Sequence, residues 1–197
     1  MLEVIKEKLE HLPPLPMQPE LNKNFREAAV LMALSRSKDP SVVFIKRAEH
    51  VNSHSGQVAF PGGMWEPGDE SLLHTALRES EEEIALPRDA VEVIAALPTR
   101  STLFGVRVSP YVGFIPEGLE FIPERGELDA VFQVPLSFLS DTDNLTRTRF
   151  TLRGGNFDVP CFFYEGYCIW GFTLGVLAEF LEYCLEIRVD LAYRQCS

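Results

Sequence analysis

Four glutamates fall within residues 79–83, and Pro87 follows close behind. Glu79, Glu82 and Glu83 are spaced i, i+3, i+4, so a helix puts them on one face. Each helical residue turns by about 100°, which places Leu73, Leu77, Ser80 and Ile84 on a separate face suited to a core. The stretch therefore predicts one helix carrying a buried stripe and, well away from it, a carboxylate cluster.

An acidic helix face is usually only a solvated surface, and three observations weigh against that here. Like charges at i, i+4 cost roughly a few tenths of a kcal/mol per pair. The nearby cations, Arg78 and Arg88, are too few to pair the four acids. Pro87 makes the residue before it a natural stop, so the cluster lies near the helix C-terminus. That is the negative end of the macrodipole, where carboxylates are disfavoured. Clustered oxygen ligands on a rigid element suit Mg²⁺ or Mn²⁺.

The length of 197 residues fits one domain spanning 1–197, large enough for a real core. A net charge of -11 argues against nonspecific nucleic-acid binding, which needs a basic footprint. The same charge repels an anionic substrate unless a divalent cation offsets it locally. Cys161, Cys168, Cys184 and Cys196 form no C-x-x-C pair and read as reduced thiols of an intracellular chain. The opening MLEVIKEKLEHL lacks the basic and apolar regions of a signal peptide. No apolar run reaches membrane-spanning length. A cytoplasmic protein that meets neither membrane nor nucleic acid is expected. A homodimer is compatible with the sequence, which does not give the oligomeric state.

Residues 2–11 read as a short amphipathic helix, and prolines 13, 14, 16 and 19 turn the chain up to residue 24 into an extended strap. Strand patterns follow at 27–35 and 41–46, which a Lys38-Asp39-Pro40 turn joins into a plausible antiparallel hairpin. A polar loop over 47–56 precedes a short strand at 57–60, ended by Pro61-Gly62-Gly63. The glycines permit close backbone approach, which brings carbonyl oxygens near the acidic helix. Asp69, Glu70 or Ser71 caps that helix. Strands are predicted at 90–97, 106–115 and 127–135, Pro110 suggesting an edge or bulge in the second. A short helix at 136–139 follows, then a hairpin of 145–152 with 159–165. A helix over 170–186 makes up most of the C-terminal segment, residues 166–197. Strands and helices mixed in this way point to an α/β fold on a mixed sheet.

Arg78-Glu79-Ser80-Glu81-Glu82-Glu83-Ile84-Ala85-Leu86 resembles the second half of the Nudix box, G-x5-E-x7-R-E-U-x-E-E-x-G-U, where U is a bulky apolar residue. Ser80 replaces an apolar residue, and Ala85 replaces a glycine that needs only a normal helical or cap conformation. One extra residue between Gly63 and Arg78 leaves Asp69 and Glu70 competing for the early acidic position. Upstream, Val43 to Ala48 and His54 to Gly63 are similar to the motif of the coenzyme A diphosphatase branch, with Asn52 where an arginine is usual. Val106 to Gly113, Glu127 to Leu136 and Trp170-Gly171 are similar to that branch as well.

The resemblance implies a Nudix-type α/β/α sandwich around a mixed β-sheet. It also implies hydrolysis of coenzyme A or acyl-coenzyme A to 3′,5′-ADP and 4′-phosphopantetheine or its acyl form, with Mg²⁺ or Mn²⁺ as cofactor. Glu79, Glu82 and Glu83 are then the metal carboxylates, with the Gly63 carbonyl as an addition. Arg78 orients a box carboxylate, and Glu79 or Glu127 is the general base. Lys46, Arg47 and Arg107 are candidate phosphate contacts. Gly62 and His54 belong to the substrate loop, although a lone loop histidine is more often structural. His74 faces outward with no role, and Phe104, Phe162, Phe163 and Tyr164 suit the core better than substrate stacking. The competing readings are a Nudix hydrolase of another diphosphate, such as ADP-ribose, and a binding module without catalysis.

Overall fold

The central strands are apolar at both parities, so each face of the sheet needs its own cover. The computed structural model describes residues 1–12, 26–50, 56–102, 104–152 and 154–195. The main sheet is built from β1 (Arg26–Ser35), β2 (Ser41–Arg47), β3 (Val58–Ala59), β4 (Gly62–Met64), β5 (Glu92–Ala96), β6 (Arg100–Ser101), β7 (Val106–Ile115) and β8 (Leu128–Pro135). A smaller sheet holds β9 (Leu145–Leu152), β10 (Gly155–Tyr164), β11 (Tyr167–Trp170) and β12 (Arg194–Gln195). The helices are α1 (Leu2–Glu10), α2 (Leu72–Ile84), α3 (Leu136–Ser140) and α4 (Gly171–Leu185).

The sheet is mixed. β1 runs parallel to β7 from Arg26 opposite Val106 to Ser35 opposite Ile115. It is antiparallel to β2 and β4. β2 is antiparallel to β3 and, along its whole length, to β8. Odd-numbered Leu31, Val43 and Ile45 face α2, where they join Leu72, Ala76 and Ile84. Even-numbered Met32, Leu34, Val42 and Phe44 face the other way, joining Ile5 and Leu9 of α1 and Leu174, Leu177 and Leu181 of α4. Helices thus cover both faces of a mixed sheet, giving the α/β/α sandwich. The smaller sheet adds Phe162 and Ile169 to the core on the α4 side.

Several local expectations change. β1 and β2 share only the pair Leu34–Val42, because β4 takes the same edge of β1 over Ala28, Ala29 and Val30. Pro110 sits neither at an edge nor in a bulge: β7 lies between β1 and β5. Its carbonyl accepts from the Leu97 N–H at 2.9 Å. Its nitrogen, on the same side of the strand, faces Leu97 just past the end of β5, so the missing donor falls where the β5 ladder stops and before β6 begins. Gly62 and Gly63 form a strand of their own instead of merely ending one. β11 and β12 have no counterpart in the predicted elements. The 13–24 strap lies outside the described residues.

Candidate active site

Helix α2 starts where Ser71 Oγ accepts the His74 N–H at 3.0 Å. Just before it, Asp69 is buried and anchors the acidic face. Its carboxylate receives Arg78 Nε at 2.9 Å and Nη2 at 3.0 Å, the Thr75 hydroxyl at 2.8 Å and the Glu66 N–H at 3.1 Å. The Arg78 hydrogen bonds, more than any other influence, hold the Asp69 carboxyl down at about 2. Asp69, not Glu70, therefore meets Arg78; Glu70 gives its N–H to His74 instead. The remaining Arg78 donors reach Glu82 Oε2 at 3.0 Å, Glu79 Oε1 at 3.1 Å and the Met64 carbonyl at 3.2 Å. His74 is not idle either, since its Nε2 lies 2.8 Å from Arg88 Nη1.

The buried stripe of α2 is shifted from the expected one. Leu72, Ala76, Ser80 and Ile84 are its centre, with Leu73 and Leu77 on its flank. Glu83 lies about 60° from Ser80 around the helix, so it stands on the shoulder of the stripe and only 4% exposed. The acids and the apolar stripe adjoin. Ser80 is accommodated in the core because its hydroxyl donates to the Ala76 carbonyl at 2.7 Å.

Two consecutive glycines make this proximity workable. Gly62 has φ +148°, and a β-carbon there would come within 2.6 Å of Val30 Cα. Its N–H donates to Glu83 Oε2 at 2.9 Å. A β-carbon on Gly63 would collide with the Glu79 carboxylate. Burial pushes the Glu83 carboxyl up to about 8, against the lowering by the Gly62 N–H and Arg47. Burial also raises Glu79, opposed by Arg78.

Arg47, at the end of β2, places Nη1 3.5 Å from Glu83 and Nη2 3.9 Å from Glu127. Glu127 also acts electrostatically on Glu79 and Glu83, so the structure brings the later loop to the helix acids. Lys46 leaves the opposite side of β2 and pairs with Asp129 at 3.1 Å. Arg107 lies 3.6 Å from Glu27 on the neighbouring strand. His54 falls outside the described residues. Phe104 and Phe163 are exposed, whereas Phe162 is buried.

The donor set fits a hard divalent cation. Glu79 and Glu83 are desolvated carboxylates with raised proton affinity, and the missing β-carbon of Gly63 leaves the Glu79 carboxylate room beside the backbone. Among the described residues, no three His, Cys, Asp or Glu side chains converge as they stand. Glu82 is turned to Arg78 and Glu83 to Arg47, so gathering the ligands requires those pairs to loosen.

Comparison with known proteins gives a consistent result. A NUDIX domain model matches residues 25–151. Proteins named as the uncharacterized Nudix hydrolase NudL, from Escherichia coli O7:K1 and Shigella boydii serotype 18, are each 39% identical over 166 residues, covering 83% of this chain and 86% of theirs. A crystal structure of a MutT/nudix family protein from Enterococcus faecalis aligns with a TM-score of 0.52 at 15% identity, over 94% of this chain and 70% of that one.

Proposed function

Because the chain belongs to the Nudix hydrolase family, we propose that it hydrolyses the diphosphate bond of coenzyme A and its acyl derivatives. The products are 3′,5′-ADP and 4′-phosphopantetheine or its acyl form. The observation that carries this reading is the junction of two motifs. The segment similar to the coenzyme A diphosphatase branch ends in Gly62-Gly63, and Gly62 hydrogen-bonds directly to Glu83. The segment that names the substrate is thereby fastened to the acids that serve the reaction.

Glu79, Glu82, Glu83 and the Gly63 carbonyl would hold Mg²⁺ or Mn²⁺. When bound, the cation neutralises diphosphate charge and lowers the pKa of water. Arg78 holds the helix acids in place through Asp69 and gives no donor to substrate. Arg47 links Glu83 to Glu127, and its planar fork also suits a phosphate as the acids turn elsewhere. Glu127 is more than half exposed, so an attacking water can reach its carboxylate and pass it a proton. Glu79, largely buried and with a raised proton affinity, is the competing base.

The test is incubation with coenzyme A, ADP-ribose and NADH in Mg²⁺ or Mn²⁺, with products resolved by chromatography. 3′,5′-ADP is expected from coenzyme A. Cleavage of the other two alone would move the chain to a different substrate class, and no cleavage of any would favour a binding module. Glu82→Gln and Glu83→Gln should each lower turnover by at least about 100-fold, since even residues that only support metal ligands are worth about 10–100-fold.

A further inference from the structure

A cavity of about 430 Å³ lies where the smaller sheet meets β3, on the opposite side of β2 from the acids. Its walls include Val58, Phe150, Tyr167, Cys168 and Trp170. The rings are fixed: Phe150 stacks on Trp170 at 4.1 Å between centroids, and Tyr167 stacks on Phe132 at 3.9 Å. Among the described residues, Lys46 is the one charged side chain lining it. That charge is already committed to Asp129 at 3.1 Å and Glu49 at 3.8 Å.

These features select against a phosphate. An anion entering here would meet a lysine already balanced by two carboxylates, inside a chain of net charge -11. Aromatic walls favour an uncharged, partly apolar occupant. Position narrows it further. Lys46 and Arg47 are neighbours in one strand and point to opposite faces. Arg47 reaches Glu83 and Lys46 reaches the cavity. The two places thus lie on opposite faces of the sheet, at the same end of β2. A substrate serving both must carry a long flexible arm beyond its diphosphate.

We propose that this cavity seats the uncharged pantetheine arm of the substrate, with the nucleotide half remaining on the α2 side. The assignment rests on the coenzyme A reading and adds the residues that recognise the arm. Tyr167, Trp170 and Val58 form its apolar contacts, and the thiol or thioester end lies toward Cys168. The Phe150 to Trp170 part of this wall is remote in sequence from the acids, so recognition of the arm can change there without altering the chemistry.

The test separates the two halves of the substrate. In a Trp65→Phe background, Trp170 fluorescence is titrated with pantetheine and, separately, with adenosine 3′,5′-bisphosphate, both without metal. Pantetheine should give a saturable change and the nucleotide none. Cys168→Phe, which fills the cavity, should raise KM for coenzyme A about tenfold with kcat within about twofold, the loss of roughly one good contact set. If that variant does not fold, Cys168→Leu should give a smaller shift in the same direction. An unchanged Trp170 signal with pantetheine, or a response to the nucleotide instead, overturns the assignment. Coenzyme A cleavage without pantetheine binding would refute the cavity alone. Pantetheine binding without coenzyme A cleavage would refute the reaction and leave the cavity assignment standing.

Discussion

Glu83 shows at the level of one residue how burial and charge compete. Its carboxyl is pushed up to about 8, whereas an ordinary glutamate titrates near 4.5. Between those values the folded chain holds a proton that the unfolded chain has lost. Without metal, stability therefore falls as pH rises through that window. Denaturant midpoints measured across it should decline for the native chain, and Glu83→Gln should flatten the decline. Adding Mg²⁺ in the same window should release protons, because the ligand form is the carboxylate. The neighbouring glycines give a second contrast. Gly62→Ala drives a β-carbon into the backbone of β1 and should cost about 2–4 kcal/mol of stability. Gly63→Ala meets only the movable end of Glu79. It should change stability by less than about 1 kcal/mol while lowering turnover about 100-fold. Melting curves beside turnover measurements distinguish the two. The spacing of Glu79, Glu82 and Glu83 made a shared acidic face legible from sequence. The burial of Glu83 was not legible, because it depends on where β4 crosses the helix. Nor was the choice of Asp69 over Glu70, which depends on which carboxylate turns inward to meet Arg78 and Thr75.

Helix α2 ends on Ala85, whose φ of +55° and ψ of 32° lie in the left-handed region. Its N–H accepts the closing role of the helix by donating to the Glu81 carbonyl at 3.0 Å. The sequence reading allowed this position a helical or cap conformation, and it takes the cap in its left-handed form, which costs an L-residue more than a glycine. Ala85→Gly should therefore stabilise the chain by about 1 kcal/mol, seen as a higher urea midpoint with an unchanged slope. Long elements with a clear period, such as α2, α4 and β7, were legible from the pattern of apolar residues. Short ones were not. Tyr167–Trp170 carries too few residues to show an alternation, and the helix that follows at once absorbed Trp170 into its own pattern. The cavity wall went unseen for the same reason. Pro110 misled because the sequence shows its missing donor but not that the donor falls at the break between β5 and β6.

At the scale of the molecule, the mixture of strand and helix patterns was enough to indicate an α/β fold on a mixed sheet, and the Nudix resemblance supplied the helices on both faces. The order of strands was not readable, since it arises from the parallel match of β1 and β7 between distant segments. α1 contributes to the layer on the far side from the acids, where Ile5 is fully buried among the residues that also receive Leu9 and α4. Ile5→Ala should destabilise the fold by about 2–4 kcal/mol and leave the turnover of the remaining folded protein unchanged, which denaturation and specific-activity measurements together resolve. The ladder of β1 with β7 has a further consequence, for synthesis on the ribosome. β1 is made early with apolar side chains on both faces, and its central partner is finished only when Ile115 emerges. Until then the nascent chain can neither close its sheet nor settle α2 on it. An interrupted translation product ending before that point is left with a sticky, half-paired strand, a substrate for chaperones or proteolysis, not a smaller working enzyme.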